Sequence, residues 1–217
     1  MKKNVSLTQS ALNVWAIALF VWSIYRYKFS FPIWFDEFLF KPLLFIGLSY
    51  FYITKIEKSE FFSSIWINKR NLFRDLLLGI GIGLLFILAA AFSSYLKNNE
   101  LGPMIPKNIP SIMYPFLLAL ATGISEEVLS RGLVLKRLYE ESKNMITSSL
   151  TASILFFILH IPILFTMKSV HGDVLILFLI TSFLLSLSNS FIFLSRKSLI
   201  LPILINAFYN FAILMYV

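Results

Sequence analysis

Apolar residues run almost unbroken through seven stretches of the chain, roughly residues 10–27, 38–54, 74–96, 111–138, 146–167, 174–194 and 199–217. A helix needs about 20 such residues to cross a hydrocarbon core. Each stretch is expected to be helical, because lipid offers no hydrogen-bond partner to an open backbone amide. The pattern therefore predicts an all-α fold, a polytopic transmembrane bundle of about seven spans. The second and last runs are short and suit tilted or partly inserted helices.

Two connections have a character of their own. Residues 55–73 mix Phe61, Phe62, Ile65, Trp66, Leu72 and Phe73 with basic and acidic side chains, which suits a helix lying in the cytoplasmic interface. Residues 97–110 carry Gly102, Pro103, Pro106 and Pro110 and read as an extended external loop. The chain is expected to divide there, into N-terminal membrane helices over 1–110 and a second set of helices over 111–217.

Composition agrees with the bilayer. Hydrophobic residues make up 58% of the 217 positions and charged residues 14%, where a soluble domain carries about 25% charge. The net charge of +8 does not point to nucleic acid, since no soluble part is large enough to display a basic face. Basic loops beside anionic lipid heads account for it. The absence of cysteine excludes disulfides, thiolate metal sites and a cysteine nucleophile.

Loop charges predict the orientation. With the N-terminus inside, the cytoplasmic side receives Lys2, Lys3, Lys55, Lys58, Lys69, Arg70, Arg74, Lys136, Arg137, Lys143, Arg196 and Lys197. The other side receives Arg26, Lys28, Lys41, Lys97, Lys107 and Lys168. This bias predicts a cytoplasmic N-terminus. Lys2 and Lys3 precede an apolar run without a small-residue cleavage site, so that run is read as a retained first span. Gly79, Gly81 and Gly83 lie inside the third run; with no strand before them they suit close helix packing, not nucleotide binding.

Candidate chemistry begins in the fourth run, at Ser125-Glu126-Glu127-Val128-Leu129-Ser130-Arg131. Only residues 112–124 separate the Pro-rich loop from the glutamates, too few to cross alone, so the helix is expected to continue through the charges to Leu138. Each such charge costs roughly 2.5–3.5 kcal/mol at a helix centre. Glu127 and Arg131 stand four apart and can pair. Glu126 points about 100° away and needs a partner from another helix or water, which leaves it available as a general base. The alternative is a solvated cytoplasmic helix end. His160, inside the fifth run, is a functional candidate by default, or else a packed histidine bonded to a backbone carbonyl. Asn206 and Asn210 share a face of the seventh run, where amides also serve to join helices. At 1.5 Å per residue all three clusters lie roughly 10–20 Å from the predicted cytoplasmic helix ends. Similar depth suggests one shared cavity facing the cytoplasm.

The order Glu-Glu-x-x-x-Arg (Glu126, Glu127, Arg131), Phe-x-x-x-His (Phe156, His160) and a final helix motif ending in Asn210 resembles the CAAX protease and bacteriocin-processing family, CPBP or Abi, which includes the type II CAAX prenyl proteases. The resemblance covers roughly residues 111–217, and Asn206 stands where the family usually has histidine. It implies a catalytic core over 111–217 and an intramembrane protease acting on a hydrophobic or lipidated peptide. Glu126 would be the base that activates water. Glu127 and Arg131 would organise the site, and His160 would hold the water. Asn206 would stand in for the second histidine, and Asn210 would stabilise the oxyanion. A divalent metal such as zinc, if held, would take Glu126 and His160; without the second histidine that set is thin, since asparagine is a poor zinc ligand. His171, in the loop after the fifth run, is not recruited. The resemblance also implies a bacterial cytoplasmic membrane protein with no nucleic-acid partner. The Asn206 departure leaves a second reading open, a weakly active or inactive scaffold or bacteriocin-immunity protein using the same cavity. A transporter has less support, because no internal repeat is seen.

Overall fold

The computed structural model describes residues 6–67, 71–99, 112–164 and 173–216. The Pro-rich connection over 100–110 and His171 lie outside them.

Among the described residues every regular element is a helix. Helix α1 spans Leu7–Lys28, α2 Ile33–Ile56 and the short α3 Phe61–Ser64. Helix α4 spans Leu72–Asn98. Helix α5 starts at Met113, passes through a π-helical stretch at Val128–Leu135 and ends at Ser142. Helices α6, α7 and α8 span Met145–Leu164, Asp173–Arg196 and Ile200–Tyr216. Helices α1, α2, α4, α6 and α7 are each long and apolar enough to cross a membrane, while α8 is apolar but shorter. The chain is an integral membrane protein built as an all-α polytopic bundle.

Local chemistry sets the helix ends. The Ser6 hydroxyl accepts from the Gln9 amide at 3.1 Å and caps α1. Lys143 adopts a left-handed φ of 56° that ends α5. The next residue, Asn144, accepts from the amides of Ile146 and Thr147 at 3.0 and 3.1 Å and so starts α6. This tight reversal makes α5 and α6 antiparallel neighbours.

The bundle has two distinct ends. Leu7, Ile56, Leu72, Ser142, Met145, Arg196 and Ile200 mark one, which carries most of the basic residues. Ion pairs tie it: Arg137 Nη2 meets Glu57 Oε2 at 2.5 Å and Arg196 Nη2 meets buried Asp75 Oδ1 at 2.5 Å. Lys28, Ile33, Met113 and Tyr216 mark the other end. Between them Trp22, Phe45, Ile53, Leu129, Leu133 and Phe193 form one core that joins α1 and α2 to α5 and α7.

The segment over 55–73 differs from the expected interfacial helix. Among the described residues between α2 and α4 it makes the single turn of α3, capped by Glu60, which accepts from the amides of Phe62 and Ser63 at 3.0 and 2.6 Å. Hydrogen bonds from Ser63 and Phe62 hold the Glu60 carboxyl below its usual pKa. The chain then turns inward: Ile65 is buried against Gly132, and Trp66 stacks on Phe193 at 4.8 Å. Ile65 and Trp66 thus plug the basic end of the bundle, while Phe62 and Phe73 stay exposed.

Glycines seat α8. A Cβ at Gly79 would collide with Leu204 and one at Gly83 with the Phe208 ring, whereas Gly81 faces open space. A Cβ at Gly123 would come within 3.1 Å of the Ala207 amide nitrogen and the Ile203 carbonyl. Helix α8 therefore lies with its backbone against α5 at Gly123, one turn from Glu126.

Candidate active site

Helix α5 continues through the charged motif, and the whole run from Ser125 to Leu135 is buried. The π-helical stretch begins directly after Glu127; the Lys136 amide reaches back five residues to the Arg131 carbonyl. Such widened turns recur at functional sites.

The two glutamates face different surroundings. Glu127 meets the Arg131 guanidinium at 3.0 Å and accepts from Asn189 Nδ2 at 3.3 Å. Arg131 Nη2 also donates to the Ser186 carbonyl at 2.9 Å and to the Ser186 hydroxyl at 2.8 Å. Its guanidinium lies 4.3 Å over the Phe156 ring. This network is fully buried and does not line the cavity.

Glu126 faces the cavity. Its Oε2 accepts from Asn206 Nδ2 at 3.1 Å, and Asn206 Oδ1 accepts from Asn210 Nδ2 at 3.3 Å. Its Oε1 lies 3.8 Å from His160 Nε2. His160 Nδ1 is 2.9 Å from the Phe156 carbonyl, an obligate acceptor, so Nδ1 carries a proton and Nε2 is the ring nitrogen turned toward Glu126. Phe156 thus supports Arg131 with its ring and orients His160 with its backbone.

A third partner comes from the N-terminal half. Lys41 Nζ lies 3.3 Å from Glu126 Oε1 and 2.7 and 2.9 Å from the two oxygens of Glu37. Thr122 Oγ1 donates to Glu37 at 2.6 Å. Lys41, expected among the outer loop charges, is therefore an interior residue of α2, and Glu126 does have a cation nearby. A weak signal was available: Glu37 and Lys41 stand four apart at the start of an apolar run. Asn189 and Ser186 carried no signal beyond being polar in the sixth run.

A cavity of about 150 Å³ has Glu37, Lys41, Thr122, Glu126, His160 and Asn210 on its polar side and Ile33, Leu118, Ile213 and Leu214 on its apolar side. The apolar wall rises toward Ile33 and Leu214, near the end of the bundle that holds Lys28 and Tyr216. The cavity expected to face the basic end thus lies toward the opposite one, because His160 sits near the far end of α6 and Glu37 near the start of α2.

Residues 108–212 match the family of type II CAAX prenyl endopeptidases, Rce1-like. That match covers just under half of the chain and is consistent with the CPBP family. No curated protein and no solved structure matches the chain. The Rce1-like match ends before residue 213 and begins after α2, so Glu37 and Lys41 reach the site from outside it.

The donor set does not suit a metal. Among the described residues no three of histidine, aspartate and glutamate converge as a metal-binding group. The Lys41 ammonium sits beside the same Glu126 oxygen that faces His160, and a positive charge there opposes a second cation. The expected zinc set of Glu126 and His160 is thus a two-ligand set with a resident ammonium.

Proposed function

We propose that this protein is an intramembrane endopeptidase that cleaves a hydrophobic or membrane-anchored peptide with a glutamate-activated water. The observation that carries the reading is the pairing of Glu126 and His160 at the polar side of a half-apolar cavity, inside a domain of a protease family. A water between Glu126 Oε1 and His160 Nε2 would hydrogen-bond to both. Glu126 takes a proton as the water oxygen bonds to the scissile carbonyl carbon. The carbonyl π electrons move to oxygen, where the Asn210 amide on the cavity wall would donate to the developing charge. Collapse of this adduct breaks the C–N bond, and the proton held by Glu126 passes to the leaving nitrogen. The apolar wall of Leu118, Ile213 and Leu214 suits an apolar side chain or lipid chain beside the reacting bond.

The test uses purified wild type and Glu126→Gln with a mixed library of hydrophobic and C-terminally lipidated peptides, read by mass spectrometry for new termini. Wild-type-only termini are expected. Equal cleavage by both proteins removes Glu126 from the chemistry.

One observation favours the second reading, a binding or immunity protein. Both Glu126 oxygens already have partners, Lys41 and Asn206. A blank from both proteins, with folding confirmed, would move that reading to first place.

A further inference from the structure

The site contains a charge for which the glutamate, histidine and asparagine motif has no place. Lys41 is 2% exposed and comes from α2, 85 residues before Glu126. A buried ammonium persists only where carboxylates compensate it. Here three carboxylate oxygens lie within 3.3 Å of one nitrogen: both from Glu37 and one from Glu126. The Trp22 ring closes another side, its centroid 5.3 Å from Nζ, and His160 stands on the far side of the Glu126 oxygen. Thr122 fixes the Glu37 carboxylate. Carboxylate oxygens gathered around one point attract a cation, and hard divalent ions take such oxygen ligands. In this chain that point is a lysine nitrogen.

We propose that Lys41 is the resident cation of the site: its ammonium, clamped by Glu37, positions Glu126 and fills the place that a divalent metal would need. Lys41 is a positioning residue, acting through Glu126. Together with the Asn206 amide on the other oxygen, it fixes the carboxylate from both sides. This also accounts for an asparagine at 206: with a cation supplied from α2, the site needs no second imidazole to hold a metal. The consequence for catalysis rests on the endopeptidase reading; the competition between Lys41 and a metal does not.

The test titrates tag-free, detergent-solubilised full-length chain with Co²⁺. Visible absorption and cobalt retained after desalting are the readouts. Wild type is expected to retain no cobalt. Lys41→Ala, with Glu37 and Glu126 left facing one another, is expected to retain about one cobalt per chain. Adding Glu126→Gln to Lys41→Ala should abolish that uptake. Lys41→Arg keeps the charge and should exclude cobalt as wild type does. Two results overturn the proposal: stoichiometric cobalt in wild type that vanishes in Glu126→Gln, or a folded Lys41→Ala chain that takes up none. If Lys41→Ala does not fold, the wild-type titration still decides, with saturable Glu126-dependent uptake as the rejecting result. Peptide cleavage by the same preparations is read separately. The expected cobalt pattern without cleavage rejects the endopeptidase reading and leaves the resident cation standing.

Discussion

Adjacent residues in one helix can serve different ends when their partners come from different sides. Glu127 turns into the bundle, where it meets Arg131 and Asn189, and Arg131 in turn holds Ser186. Glu126 turns to a cavity and is held by Lys41 and Asn206. The first arrangement is a brace and the second is a site. Arg131→Met tests the brace: it leaves Glu127 with Asn189 as its remaining partner, an uncompensated buried charge. A loss of about 3–5 kcal/mol is expected, seen as a lower unfolding temperature in detergent. The further change Glu127→Gln should recover most of it, because the stranded charge is then gone. No recovery would mean that Arg131 acts mainly through Ser186 and the Phe156 ring.

At the scale of the element, α8 depends on surfaces that have no side chain. It carries both asparagines, and its depth relative to α5 decides whether Asn206 reaches Glu126. Gly79 and Gly83 on α4 receive Leu204 and Phe208, and Gly123 lets the α5 and α8 backbones meet. Gly83→Ala should push Phe208 outward and cost about 1–3 kcal/mol. Cleavage is expected to fall more than stability, since Asn206 and Asn210 move with the helix. Gly81→Ala, facing open space, should change neither, and the comparison separates packing at this face from a general effect of altering α4. The π-helical stretch is the matching device on α5. It carries Arg131 and lets the helix continue to Lys136 and Arg137, which bind Ser64 at the basic end.

At the scale of the molecule, charge and cavity sit at opposite ends. Removing Lys41 from the loop charges leaves fewer basic residues at the end toward which the cavity rises, so the asymmetry that predicts a cytoplasmic basic end grows. On that expected orientation the site would face the other side of the membrane and receive its peptide from there. The chain has no cysteine, so single introduced cysteines report topology without background. Tyr27→Cys lies near the cavity end at an exposed position, and Lys143→Cys at the reversal between α5 and α6. In intact cells an impermeant maleimide is expected to label Tyr27→Cys and to reach Lys143→Cys only after lysis. The reverse pattern would place the cavity on the cytoplasmic side.

The sequence by itself determined the solvent, the element type and the core of the motif. Apolar runs of span length in a chain poor in charge leave helices in a bilayer as the form that satisfies every backbone amide. Spacing of four fixed Glu127 beside Arg131 and Asn206 beside Asn210, because those are neighbours on any helix. What only the tertiary structure decided is which helices face one another. Periodicity places a side chain on a face but does not say what meets that face. Lys41 therefore read as a loop charge until α2 was packed against α5, and Ile65 and Trp66 read as lipid-facing until they closed the bundle end. The direction of the cavity was hidden for the same reason: it depends on where along each helix the contributing residues meet, and that register is set by packing between residues far apart in the chain.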